Sequence, residues 1–325
     1  MQMTTPCRLA AALIAAMTFT HAGAARAQTS EPYPSRRVSV VVGYATGGFA
    51  DGVARLIARK LSERWKQPVV VQNMPGAGGN IAARSVSIAA PDGYTLLGTT
   101  TSLAINETAY KDKGFTSSGL TPIAMPAEAP ELLAANPKSG IRTFADMMQE
   151  ARTGKLYMGS SGIGSGSHIS AEYFFKVLAK VDVKHIPFQG GNPAMLALMT
   201  GDINIMASTA TAIPSIKNGE LAGIAVGSEQ RSPNLPQVPT YAENGFPGFT
   251  ASSWAGMFAP AGTPEPILEK INQDINETLK DPEVQRTFEL MGLQTNARTR
   301  KESVDFFKAE IDRWGVMVKA IGLAN

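Results

Sequence analysis

Cysteine is almost missing: the 325-residue chain has one, Cys7. Beyond that position neither a disulfide nor a thiolate metal site can form. Histidine is nearly as scarce, with three in all, and His168 and His185 do not stand in the H-E-x-x-H spacing of a zinc hydrolase. Charged residues make up only 18% of the chain, 30 basic against 27 acidic. No basic run stands out, which removes the electrostatic footprint of a nucleic-acid binder. Membrane-length apolar stretches are absent too, since the run Leu9 to Thr20 falls short of the ~20 residues that cross a bilayer.

That run has the form of a secretory signal instead. Arg8 precedes it, and Ala25-Arg26-Ala27 follows as a small-x-small processing site. Cleavage after Ala27 leaves a mature chain that starts at Gln28, holds no cysteine and stays close to neutral. The expected location is the periplasm, without a lipid anchor, because no cysteine stands at the cleavage point. ATP and NAD are scarce outside the cytoplasm, so no cofactor is expected, and two histidines without cysteine give no metal site.

What is present is apolar content of 44% with 31 glycines and 21 prolines, the make-up of a globular protein rich in turns. Short apolar runs alternate with helix-period segments, a βαβα rhythm that predicts an α/β protein with largely parallel sheets. Val38 to Val42 reads as a buried strand. A helix follows from about Asp51 to Trp65, where Val53, Ile57, Leu61 and Trp65 share one stripe. Asn80 is a candidate cap for the next helix, and Thr143 for one ending at Ala151. Pro264 opens a helix to about Leu279, and another runs from about Glu302 to Ala320. The length suggests two lobes, with chain crossings near Ala124–Ala129 and Phe249–Ser253. The expected division is residues 28–126 plus 252–325 for one lobe and 127–251 for the other, with a cleft between them that closes on a ligand.

Two loops carry the chemistry. Gly43-Tyr-Ala-Thr-Gly-Gly-Phe-Ala-Asp51 and Gly159-Ser-Ser-Gly-Ile-Gly-Ser-Gly-Ser-His168 each follow a strand and open a helix. Unpaired amides and the positive end of a helix dipole bind carboxylate or phosphate there without arginine. Each loop alone could equally be a tight turn where glycine supplies positive φ; two of them in equivalent places favour a site. Neither loop has the G-x-x-x-x-G-K-[ST] pattern of a P-loop. The second loop lacks the G-x-S-x-G elbow of an α/β-hydrolase, which leaves a hydrolase built on Ser165 and His168 as a weaker alternative. Phe49 is a large apolar group inside an anion loop, a costly place unless it covers something, and Phe188 follows a strand end where it could line the cleft. Trp254, near a crossing, is expected in the core.

Several segments together resemble the Bug family, the solute receptors of tripartite tricarboxylate transporters. They are Tyr33-Pro-Ser-Arg36, Gly47-Gly48-x-x-Asp51, Gln67-Pro-Val-Val-Val-Gln-Asn73, Pro75-Gly-Ala-Gly-Gly-Asn80, Pro91-Asp-Gly-Tyr-Thr-Leu96, Ser160-Ser-Gly-x-Gly-Ser165 with His168, Gly201-Asp-Ile203, Arg231-Ser-Pro with Val238-Pro-Thr240, and Ala259-Pro-Ala-Gly-Thr-Pro264. The resemblance implies a two-lobed α/β periplasmic-binding-protein fold, a monomer that binds a small carboxylate and hands it to membrane subunits, and no enzymatic activity. It places ligand contacts at Thr46, Gly47, Gly48, Phe49 and Asp51, at Ser160, Ser161, Gly164, Ser165 and His168, and at a third loop with Ser208 and Thr209. The chain departs from the family pattern at Tyr44-Ala-Thr46 and at Phe49, where a small residue is usual. Phe49 therefore suggests a flat ligand with two anionic ends, an aromatic dicarboxylate such as terephthalate, with an aliphatic di- or tricarboxylate as the alternative.

Overall fold

The computed structural model describes residues 32–323, and the expected signal segment up to Ala27 lies outside the described residues. Elements β1 (Val38–Val42), α1 (Phe49–Trp65), β2 (Val69–Asn73), α2 (Asn80–Ser87), β3 (Thr95–Thr100), α3 (Ser102–Ala109) and β4 (Leu120–Pro130) come first. Then follow β5 (Leu132–Ala135), α4 (Phe144–Arg152), β6 (Tyr157–Ser160), α5 (Gly166–Glu172), β7 (Lys184–Pro187), α6 (Gly191–Thr200), β8 (Ile205–Ser208), α7 (Ile213–Lys217) and β9 (Ala222–Val226). The chain ends with β10 (Ser252–Pro260), α8 (Glu265–Thr278), α9 (Pro282–Leu290), β11 (Gln294–Thr295) and α10 (Arg300–Ala320). One sheet has the order β11-β4-β10-β3-β1-β2, and the other β7-β6-β8-β5-β9.

The α1 stripe packs as its spacing requires: Val53, Ile57 and Leu61 are buried, while Arg55, Arg59 and Glu63 stay exposed. Trp65 at its end is half-buried and donates its indole N–H to Asp274 at 2.6 Å. Thr143 closes a capping box with Asp146 at the start of α4. Asn80 does not cap α2. Gly79 holds the cap position, and the Asn80 side chain turns inward to accept from Asn106 Nδ2 at 2.8 Å. Helices α3, α6 and α9 are absent from the periodicity reading. In α6, Gly-Asn-Pro-Ala-Met-Leu-Ala-Leu-Met-Thr, apolar residues occur on most faces, so no stripe separates buried from exposed sides.

The sheets are mixed rather than largely parallel. Strands β1–β3 pair in parallel, as do β6–β8. Strand β10 runs antiparallel between β3 and β4, and β5 antiparallel between β8 and β9. The reason is the route of the chain: β4 leads directly into β5 of the second sheet, and β10 brings it back in the opposite direction. These returning segments are long, with 11 residues in β4 and 9 in β10.

The passage between the sheets is closed by three backbone hydrogen bonds. The Glu131 amide donates to Ala251 O at 2.9 Å, the Ala251 amide to Gly227 O at 2.8 Å, and the Gly227 amide to Glu131 O at 2.7 Å. On the far side, α10 is fastened to β10 by the carboxylate of Glu310. It accepts both buried indole N–H groups, Trp254 and Trp314, at 2.8 Å each, and pairs with Arg313.

Gly227 tests the passage. A Cβ at this position would stand 2.4 Å from Ala251 O and 3.1 Å from Ala251 N, with backbone on both counts and nothing flexible to yield. Gly227→Ala is expected to lower unfolding stability by at least the ~1–3 kcal/mol typical of overpacking, read from urea denaturation. An unchanged midpoint would show that the ring of bonds is not a constraint.

Candidate functional site

The loop after β1 is shaped by Asp51. Its carboxylate reaches back to accept from the Gly47 amide at 2.9 Å, from Arg55 Nε at 2.9 Å and from Asn73 Nδ2 at 2.8 Å. Burial opposes its charge, but the bonds from Arg55, Gly47 and Asn73 prevail and hold its pKa below the usual carboxylate range. Arg55 is committed to Asp51 and Asn73 and lies outside the cleft lining. Gly48 occupies the cap of α1 and brings no side-chain acceptor. The first helical bond runs from Gly52 N to Gly48 O at 2.9 Å, so the amides of Phe49, Ala50 and Asp51 precede any acceptor within the helix.

The loop after β6 repeats the construction with serine. Ser165 Oγ caps α5 by accepting from the His168 amide at 3.2 Å and donates to Gly162 O at 2.7 Å. Ser167 Oγ accepts from the Ser161 amide at 3.3 Å. Glycines 162 and 164 have φ of 125° and 77°, values a side chain would strain. Helix α5 continues through π-helical turns, Tyr173–Leu178, so the dipole behind this loop extends past α5 itself.

Both loops line one cleft of about 1060 Å³. Of the residues singled out from the sequence, Thr46, Gly47, Gly48, Phe49, Ser161, Ser165, Phe188 and Thr209 line it. Phe188 is held beside the second loop by a bond from its amide to Ser160 O at 3.2 Å. Asp51, Ser160, Gly164, His168 and Ser208 are outside the lining. Asp51 braces the first loop, Gly164 donates its amide to His168 Nδ1 at 3.2 Å, and Ser208 is 1% exposed. The sequence reading missed Tyr44, Thr100, Ser102, Glu131 and Ser253 as lining residues. Strand ends facing a cleft carry no motif; for Tyr44, the departure from the family pattern was the available signal. Among the described residues that line the cleft there is no lysine or arginine.

Behind the second loop two imidazoles stack, His168 on His185, with centroids 4.1 Å apart and planes at 22°. His185 Nε2 meets Ser160 Oγ at 2.7 Å. Burial, aided by the nearby His185, pushes His168 down to about 3, and burial pushes His185 down to about 4. Both are neutral at neutral pH. This geometry does not make a hydrolase. Ser160 is fully buried, and Ser165 meets His168 through the histidine's backbone amide. His168, Glu172 and His185 bring ligand-type atoms within 4.8 Å of one another. Stacked rings, however, cannot aim two in-plane lone pairs at one ion ~2.0–2.1 Å away.

The histidine pair sets an acid limit on stability. Both folded pKa values lie below the unfolded value of 6.5, so the unfolded chain takes up protons first. The pair's contribution is complete above about 6.5 and is lost as pH falls towards 3–4. His168→Asn, whose Oδ1 can accept the Gly164 amide, should show a shallower fall in urea midpoint between pH 7 and pH 4 than the parent, since one such proton site is gone. Parallel curves would refute the assignment.

Known proteins resemble this chain in sequence and in fold. Residues 53–323 match the family described as the tripartite tricarboxylate transporter family receptor. Protein BugT of Bordetella pertussis is 33% identical over 310 residues, 93% of this chain and 94% of BugT. An R. palustris protein solved with adipate superposes with a TM-score of 0.85 at 32% identity, over 90% of this chain and 99% of that one. MatC of Rhodopseudomonas palustris, solved with bound malate, gives 0.81 at 33% identity, over 88% of this chain and all of MatC (100%). No helix among the described residues is long and apolar enough to cross a membrane. With a two-lobed α/β periplasmic-binding-protein fold and matches along nearly its whole length, the chain belongs to the Bug family of tripartite tricarboxylate transporter receptors.

Proposed function

We propose that this receptor captures a dicarboxylate in the periplasm, without chemical turnover, and delivers it to the membrane subunits of a tripartite tricarboxylate-type transporter. The signal segment would be removed after Ala27. The lobes, residues 28–126 plus 252–325 and residues 127–251, would close on the ligand, with one carboxylate at Thr46 to Phe49 and the other at Ser161 to Ser165. The observation that carries the reading is a single cleft lined by two helix-opening loops and by no lysine or arginine. Backbone amides are left to hold the anion there. Relatives solved with adipate and with malate support a dicarboxylate.

The ring faces favour an aromatic diacid of the terephthalate class. Phe49 and Phe188 both line the cleft, from different sheets' loops, and Tyr44 joins them. A flat ligand buried against Phe49 gains area burial plus ~0.5–1.5 kcal/mol of ring contact. The adipate- and malate-bound relatives keep the aliphatic reading as the second one. Isothermal titration of the mature protein with terephthalate, phthalate, adipate and malate separates them. Terephthalate should bind more tightly than phthalate, whose adjacent carboxylates cannot reach two loops. Phe49→Ala should weaken terephthalate by about tenfold or more, ~1.4 kcal/mol, while changing adipate much less. Equal affinity for the two aromatic isomers, with tight adipate binding unaffected by the variant, would establish the aliphatic reading. Recovery of a chemically altered ligand would overturn the receptor function.

A further inference from the structure

Glu131 is the one carboxyl-bearing residue among those lining the cleft. It belongs to the ring of backbone bonds between the sheets, with its amide on Ala251 O and its carbonyl accepting from Gly227, so the root of its side chain is fixed. The residue is 3% exposed. Ser253 Oγ donates to Oε1 at 2.5 Å, and Oε2 has no hydrogen-bond partner. Gly166, the first residue of α5, packs so closely that a Cβ there would stand 2.9 Å from Glu131 Oε1 and 2.4 Å from Ser253 Oγ. A buried polar atom without a partner is rare because it carries its full desolvation cost.

No cation among the described residues pairs directly with its carboxyl. Arg313 of α10 is the cation that acts on it, but its guanidinium is committed to Glu310 at 2.7 and 2.9 Å. The Tyr241 phenol is pushed up by burial and by Glu131, which keeps it neutral. Ser253 on β10 and Gly166 on α5 bring no charge. A ligand carboxylate entering this cleft therefore meets a second carboxyl group with no cation between them. A like charge nearby disfavours ionisation and drives one of two neighbouring carboxyl groups to take up a proton.

We propose that Glu131 is a specificity-determining residue that makes ligand capture proton-linked: the cleft takes up one proton together with a dicarboxylate and holds it on the Glu131 carboxyl, so that the bound carboxylate does not face a second negative charge. This rests on the dicarboxylate reading above. The proton comes from solvent, it removes the charge of a carboxyl whose buried Oε2 has no partner, and no covalent bond between protein and ligand forms or breaks. Burial, against the Ser253 bond and Arg313, pushes the free carboxyl up to about 7. Below that pH Glu131 already carries the proton and affinity is flat. Above it the proton must be taken from solvent on binding, so affinity falls about tenfold per pH unit by linkage.

The test is calorimetric titration of the mature protein with adipate and with terephthalate between pH 5.5 and 8.5, in buffers of different ionisation enthalpy. The expected result is a flat Kd below about 7, a tenfold weakening per unit above it, and proton uptake approaching one per ligand near pH 8. Glu131→Gln, which donates at every pH, should abolish both the slope and the uptake. Ser253→Ala removes a bond that favours the charged form and should move the break to higher pH, which keeps the idea testable if the first variant does not fold. A flat Kd without proton uptake in the parent protein would overturn the proton linkage while leaving the carboxylate reading intact. An affinity for either diacid that rises with pH would likewise overturn the proton linkage. No heat with either diacid at any pH would overturn both.

Discussion

At the passage between the sheets, Glu131, Ala251 and Gly227 exchange their backbone hydrogen bonds in a closed ring, and the positions of both anion loops follow from it. The ring sits where β4 becomes β5 and where the chain returns into β10. Peptide groups buried at such a crossing must be paired, and pairing them with one another joins the two sheets at a point. From there, each sheet projects one strand-to-helix loop into the same cleft. Gly227 is required because the Ala251 carbonyl occupies the space of a Cβ.

No lysine or arginine stands among the described residues that line the cleft. Arg55, the basic side chain bonded to the first loop's scaffold, is spent on Asp51 and Asn73. Asp51 in turn orders the loop by taking the Gly47 amide, while the amides of Phe49, Ala50 and Asp51 precede any acceptor within the helix. In the second loop Ser165 and Ser167 do the ordering, while the stacked histidines behind it remain neutral because they are buried. Fixed dipoles cost no reorganisation when the ligand arrives and release no counter-ion. Their modest strength, ~0.3–1 kcal/mol per exposed helix end and up to ~2 when partly buried, means that selectivity must come from what else lines the cleft. Phe49, Phe188, Tyr44 and Glu131 are among the residues that line it.

How much of this was legible varies with the physics of each signal. The α1 stripe, the cap of α4 and the extents of α8 and α10 were readable because periodicity and capping are local. Helix α6, apolar on most faces, carried no such contrast. The parallel-sheet expectation failed because the direction of β5 and β10 depends on the chain returning to a sheet it has already left. Asn80 looked like a cap by residue type, yet its partner Asn106 lies 26 residues away.

The sequence by itself determined the two helix-opening loops, their glycines and serines, the aromatic Phe49 within one of them, and the family. These are properties of short segments, where residue type and spacing act directly on the neighbouring backbone. Only the tertiary structure decided which side of each loop faces the cleft: Ser161 and Ser165 line it while Ser160 and His168 stand behind it. It also decided that Glu131, which no motif marks, stands among the lining residues with an unpaired oxygen. Exposure to a cleft is set by elements far apart in sequence, and for Glu131 they are the β4–β5 junction, β10 and α5, brought together by the backbone ring, the Ser253 bond and packing.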